Sequence, residues 1–166
     1  MMKRLLVFVL ATVILTLSVF PQAIAYSQET ETTQTVYELD DGGYLIITME
    51  DVTPASDMRA ARASKTCKKT ATYADSNGNK KCALTVVATF SITTGKSVSC
   101  TKVTYETASY DDNWSVEDVS TSRNNSSTAK ASGTATGEFV RRVLGIKNKT
   151  VDASVSVYCD YNGNYS

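Results

Sequence analysis

The chain has 166 residues, 42% of them hydrophobic, with 17 basic residues against 17 acidic ones and no histidine. Without an imidazole to move protons near neutral pH, Ser-His-Asp and Cys-His catalysis and histidine-based zinc sites are excluded. The balanced charge gives the chain as a whole no electrostatic reason to bind nucleic acid or an anionic membrane.

Residues 1–25 read as a cleavable signal peptide. Lys3 and Arg4 supply the positive end, and Leu5 to Phe20 is apolar apart from Thr12, Thr16 and Ser18. Pro21 breaks that run, and Ala23-Ile24-Ala25 offers the small residues that signal peptidase accepts, which sets the cut before Tyr26. The apolar run is short of the roughly 20 residues of a spanning helix, and no second one follows, so the processed protein is expected to be secreted, with no membrane span. Cleavage leaves 141 residues, enough for one domain. With Lys3 and Arg4 gone, 15 basic residues face 17 acidic ones, a net charge of −2.

Residues 26–35 are acidic and polar with little to bury, and read as a flexible leader. Residues 26–57 carry eight acids and no base, whereas residues 58–81 carry seven bases against Asp75 alone. This is the pattern of a solvated acidic arm beside a basic strand. Val36 to Glu50 reads as a hairpin, with Asp41-Gly42 as a two-residue turn of the type that needs positive φ. Residues 51–65, with Pro54 and an Ala/Arg-rich patch suited to a turn or two of helix, read as a linker or cap.

From Thr66 onward the period is two. Along Cys82–Ile92 the even positions are Cys, Leu, Val, Ala, Phe and Ile; along Thr150–Cys159, Val151, Ala153, Val155, Val157 and Cys159 share a face. Such alternation marks strands with one buried face. Val98–Tyr105, Trp114–Thr121 and Thr128–Phe139 read as further strands, separated by turns at Asn77-Gly78, Thr94-Gly95, Asn124-Asn125 and Gly145. The inner face of Thr128–Phe139 is Ala129, Ala131, Gly133, Ala135 and Gly137, which implies close approach of a facing sheet or of a large neighbour such as Trp114. At Thr94-Gly95 a three-residue loop sets Ile92 opposite Val98 and Phe90 opposite Cys100, apolar against apolar; a two-residue loop would set inner against outer residues. The predicted fold is all-β: one antiparallel β-sandwich over residues 36–166, Ig-like in architecture, of about seven to nine strands.

Four cysteines, Cys67, Cys82, Cys100 and Cys159, in an exported chain point to two disulfides, with three connectivities open. Two acid pairs, Asp111-Asp112 and Glu117-Asp118, flank Trp114 as a glycoside hydrolase site would have them. Adjacent strand residues face opposite ways, however, and Asp111-Asp112-Asn113 is more simply a turn. The runs Asp75-Ser76-Asn77-Gly78-Asn79 and Asp160-Tyr161-Asn162-Gly163-Asn164 share the oxygen spacing of half a calcium loop, and equally that of an Asx-Gly turn. Trp114, Tyr105, Tyr110, Tyr158 and Tyr161 are the candidate binding surface, since amphipathic rings give contact area at low entropy cost, although tyrosine is also a good strand former. No catalytic, cofactor or metal set is assigned.

Over roughly residues 36–165 the chain resembles a family of small exported all-β domain proteins of Gram-positive bacteria. The resemblance rests on the hairpin 37–43, Thr72-Tyr73, Ser99-Cys100-Thr101, Asn113-Trp114, Val143-Leu144-Gly145-Ile146 and Cys159 to Gly163. It implies export and a β domain and lends no activity. Its pattern holds the equivalents of Cys100 and Cys159, with Cys67 and Cys82 as additions, and so implies the pairs Cys67–Cys82 and Cys100–Cys159. The function expected is a secreted, non-enzymatic binding or surface-associated module whose partner is an extracellular protein or glycan. The alternatives are a secreted inhibitor or effector using the Asp111–Glu117 or Leu144–Lys149 loops, and a glycan-acting hydrolase using the acids near Trp114.

Overall fold

Backbone pairing, more than hydropathy, decides where the strands begin. The structure, a computed structural model, describes residues 32–54 and 62–166. The signal segment, most of the leader and most of the Ala/Arg-rich patch lie outside the described residues. Eight strands follow in order: β1 (Thr32–Glu38), β2 (Tyr44–Asp51), β3 (Arg62–Ala74), β4 (Lys80–Thr93), β5 (Ser97–Ser109), β6 (Trp114–Asn124), β7 (Lys130–Val143) and β8 (Ile146–Asp160). They form two antiparallel sheets, ordered β1-β2-β3-β4-β5 and β6-β7-β8, packed as a sandwich. Every hydrogen-bonded neighbour is also a sequence neighbour. The connectivity is therefore a meander that changes sheet once, between β5 and β6, and not the Greek key of Ig domains.

Two expected boundaries move. β1 starts at Thr32, inside the expected leader 26–35, and it is exposed along its whole length. Pairing with β2 from Thr32↔Glu50 to Glu38↔Tyr44 holds it, so the polar stretch Thr32 to Thr35 extends the expected hairpin without a hydrophobic signal. β2 runs to Asp51 and β3 starts at Arg62, both inside the expected linker 51–65, with Arg62 opposite Thr93 on β4.

The loops divide likewise. The Thr94 turn is the three-residue form: Ile92 faces Val98 and Phe90 faces Cys100, with the Lys96 amide donating to the Thr93 carbonyl at 2.9 Å. The Asp41-Gly42 turn is not the two-residue form. Leu39 and Gly43 close a loop of Asp40, Asp41 and Gly42, and of these only Gly42 has positive φ, at 75°. The Asp41 carboxylate takes the Gly43 amide at 2.8 Å and so holds the turn without a second left-handed residue. A two-residue turn with both φ positive occurs instead at Leu144-Gly145, between paired Val143 and Ile146 (φ 50° and 80°). Leucine there costs about 1–2 kcal/mol relative to a residue tolerant of the left-handed region.

The core lies between β4 and the second sheet, where Leu84, Val86, Ala88, Phe90 and Ile92 meet Ala135, Phe139, Val155 and Val157, all buried. The small-residue face of β7 is there because the opposite sheet approaches it closely. A Cβ on Gly133 would stand 2.8 Å from the Ala88 Cβ and 2.7 Å from a Val103 methyl. Trp114 is not the cause: it stacks on Tyr73, ring centroids 4.7 Å apart. Gly133→Ala is therefore expected to destabilise by about 1–3 kcal/mol through overpacking, read as a lower urea midpoint at unchanged m-value.

Candidate functional site: the hairpin end of the sandwich

An antiparallel meander puts alternate connections at the same end. The turns 39–43, 75–79, 110–113 and 144–145 all fall at one end, here called the hairpin end. Most of them are built by an aspartate. Asp75 Oδ1 accepts the amides of Asn77 and Asn79 at 3.0 and 2.9 Å, with Gly78 at φ 80°. Asp111 Oδ1 accepts the Asn113 amide at 3.0 Å, and its carbonyl takes the Trp114 amide at 2.8 Å. At the opposite end Asp160 repeats the Asp75 arrangement, with Asn162 and Asn164 at 2.8 and 2.9 Å and Gly163 at φ 85°. Both Asp-x-Asn-Gly-Asn runs are thus Asx turns whose carboxylates are occupied by amide donors.

Between these turns lies a cavity of about 220 Å³ floored by Tyr73 and Trp114 and rimmed by Asp75, Lys81, Asp111 and Arg141. Trp114, the first residue of β6, is only 7% exposed. Lys149, from β8, closes one side: its Nζ donates to the Tyr73 hydroxyl at 2.7 Å, forms an ion pair with Asp41, and sits 5.1 Å from the Tyr73 ring centroid and 6.0 Å from that of Trp114. Burial pulls Lys149 towards the neutral form, but the bonds to Asp41 and Tyr73 outweigh it and its pKa is raised. The Lys149 hydrogen bond in turn holds Asp41 below the usual carboxylate range. Lys81 bridges Asp75 and Asp111 at 3.2 and 3.1 Å. Amide donation from Asn79, with further bonds from its side chain and Lys81, pulls Asp75 down to about 2. Asp111 is lowered by Asn113 first and then by Lys81.

The second acid pair is not part of the cavity. Arg142 grips both oxygens of Glu117 through Nε and an Nη at 3.0 and 2.8 Å, and together with Ser115 pulls it down to about 2. Asp118 sits at φ 51° where the β6–β7 ladder breaks between Glu117 and Ser120. Of the two acid pairs, only Asp111 lines the cavity, and Lys81 separates it from Asp75. All the acids with shifted pKa are held as anions, whereas glycoside hydrolysis needs one carboxyl raised and protonated.

The aromatic candidates are not brought together. Trp114 and exposed Tyr110 share the hairpin end. Tyr105, half exposed on β5, lies five residues back from Tyr110, about 17 Å along a strand. Tyr158 lies on β8 with Lys130 4.5 Å above its ring, and Tyr161 donates its amide to Ala129, both towards the opposite end. Lys81 and Arg141 carried no sign in the sequence; Asp41 entered only through its turn, Tyr73 only through the resemblance, and Lys149 only as the end of the Leu144–Lys149 loop.

The cysteines also depart from expectation. All four are buried free thiols. Cys67 faces Ala88 and Cys82 faces Tyr73, so their positions are six residues apart along β4, about 20 Å against a disulfide reach of about 7 Å between Cα atoms. The implied Cys67–Cys82 pair cannot form in this register. Burial pushes Cys67, Cys82 and Cys159 up to about 12, which leaves the thiols unreactive at neutral pH. Cys159 has both Cys67 and Cys100 as electrostatic neighbours, while Cys82 feels burial alone. Among the described residues no three Cys, Asp or Glu side chains converge as a metal set.

Glu117 and Asp75 bind their protons less readily in the folded protein than in the unfolded chain, so their pairs stabilise the fold above pH about 4.5. That contribution is lost as pH falls towards about 2. The thermal midpoint is expected to drop across this window, and Glu117→Gln to flatten part of the drop, as followed by circular dichroism against pH.

Protein-family models, curated proteins and solved structures yield no match to this chain.

Proposed function

We propose that the protein is an exported, non-enzymatic binding module that takes an extracellular glycan or protein at its hairpin end. The observation that carries this reading is the contrast between locked and free charges around one aromatic-floored cavity. Asp41, Asp75 and Asp111 are each tied to a lysine. Arg141 lines the same cavity and, among the described residues, makes no ion pair. A guanidinium carries five donors in a rigid fork, suited to a carboxylate or sulfate group on a ligand. The fixed carboxylates orient their own turns and lysines and supply no protonated carboxyl of the kind glycoside hydrolysis needs, which favours recognition over turnover. Export follows from the signal-like residues 1–25, and the disulfide-free core does not depend on it.

Two measurements test the proposal. The secreted product should have the intact mass of a chain that begins at Tyr26. On a glycan array and in pull-downs from surface extracts, the ligand should carry acidic groups, and Arg141→Ala should weaken it about tenfold or more, as expected when hydrogen bonds to a charged group are lost. Hydrolysis of a polysaccharide that Asp111→Asn abolishes would establish an enzyme in place of a binding module.

A further inference from the structure

The tip of the β7–β8 hairpin is the most apolar projection of the described surface. Leu144 is 97% exposed, Ile146 71% and Val143 40%. Leu144 also holds positive φ in a turn where asparagine would suit both the backbone and the water around it. The chain keeps a large apolar side chain where both local conformation and solvation oppose it, and burial of the tip in an apolar medium removes the second of these costs.

Basic residues collar the tip on both strands: Arg141 and Arg142 before it, Lys147 and Lys149 after it, with no acid between Glu138 and Asp152. Overall charge balance conceals this cluster. Three of the four share a carboxylate set back from the tip or on the next turn, through Arg142–Glu117, Lys147–Glu138 and Lys149–Asp41. Lys147, with Glu138 as its one partner, keeps further N–H donors for a phosphate, and Arg141 makes no ion pair among the described residues, whereas Lys149 is also held by the Tyr73 hydroxyl. The neighbouring turns at this end carry Asp40, Asp41, Asp75, Asp111 and Asp112, so the collar adds little net charge and the apolar tip carries most of the binding.

The geometry fixes how far the tip reaches. The Arg142 amide donates to the Asn113 carbonyl at 2.8 Å, so the last residue of the neighbouring turn lies level with Arg142. Val143 to Ile146 stand beyond it, about two residues per strand or 7 Å, within the roughly 5–10 Å at which interfacial elements bury their apolar faces. A convex tip needs no preformed pocket in a fluid interface.

We propose that Val143-Leu144-Gly145-Ile146 inserts into the interface of an anionic phospholipid bilayer and, with the basic collar on the headgroup phosphates, docks the protein peripherally on a membrane. This goes beyond ligand binding in the cavity, which neither Leu144 nor Ile146 lines.

Co-sedimentation with vesicles of phosphatidylcholine containing about one-third phosphatidylglycerol tests it, alongside vesicles of phosphatidylcholine alone. The mature protein should sediment with the mixed vesicles and less with the neutral ones. Leu144→Asn, which suits the turn, should keep or raise the thermal midpoint while vesicle binding falls about tenfold or more, and Ile146→Thr should behave alike. In both variants binding at the Arg141 cavity should be unchanged. The proposal is overturned if the mature protein stays in the supernatant, or if Leu144→Asn binds vesicles as well as the parent. A Leu144-dependent dimer in light scattering, or a Leu144-dependent protein partner without vesicle binding, would overturn it equally.

Discussion

The close apposition of β7 on β4 is the constraint from which the rest of the structure follows. With Gly133 against Ala88 and Val103, the two sheets meet through small side chains in the middle of the sandwich. Large rings are displaced to its ends. Tyr73, Trp114 and Phe139 cluster at the hairpin end, with centroids 4.7 and 6.4 Å from Tyr73, and Phe90 and Tyr165 meet towards the other, 6.2 Å apart. The aromatic floor of the cavity is therefore a consequence of how the core is packed, and Lys149 and Arg141 are presented over it because β7 and β8 run past the start of β6.

The absence of histidine has a structural counterpart at this end. The shifted carboxylates are lowered and the shifted lysines raised, so none of these charges changes between about pH 5 and 9. The hairpin end therefore keeps a fixed electrostatic pattern across that range. Its ion pairs are partly exposed, with side chains 18 to 31% accessible, and solvent screening leaves them contributing to register and orientation more than to stability.

Local features were legible in the sequence and long-range ones were not. The Thr94 loop could be read because a one-residue slip would have set Phe90 against an outward residue. The Asp75 and Asp160 turns follow from one side chain reaching amides two and four residues on, and the small-residue face of β7 announced a close neighbour without naming it. The polar start of β1, Thr32 to Thr35, left no trace, because an edge strand held by backbone bonds needs no apolar face. The Asp41 loop length was misread because a carboxylate bond can replace a second left-handed residue. Cys67 and Cys82 were paired by implication, yet their separation depends on the whole β3–β4 register. The Asp41–Lys149–Tyr73 contact joins residues up to 108 positions apart in the chain, and no local pattern encodes it.

The sequential strand order also bears on how the protein reaches its native state. Each hairpin can zip from its own turn, since every ladder joins neighbours in the chain, and such local topology favours rapid folding. The second sheet, however, begins only at Trp114. A chain emerging N-terminus first exposes the inner row Leu84, Val86 and Phe90 with nothing to cover it until the last third has followed. During that interval the half-made sandwich is a flat, sticky sheet, the kind of species that aggregates unless a chaperone or rapid completion shields it.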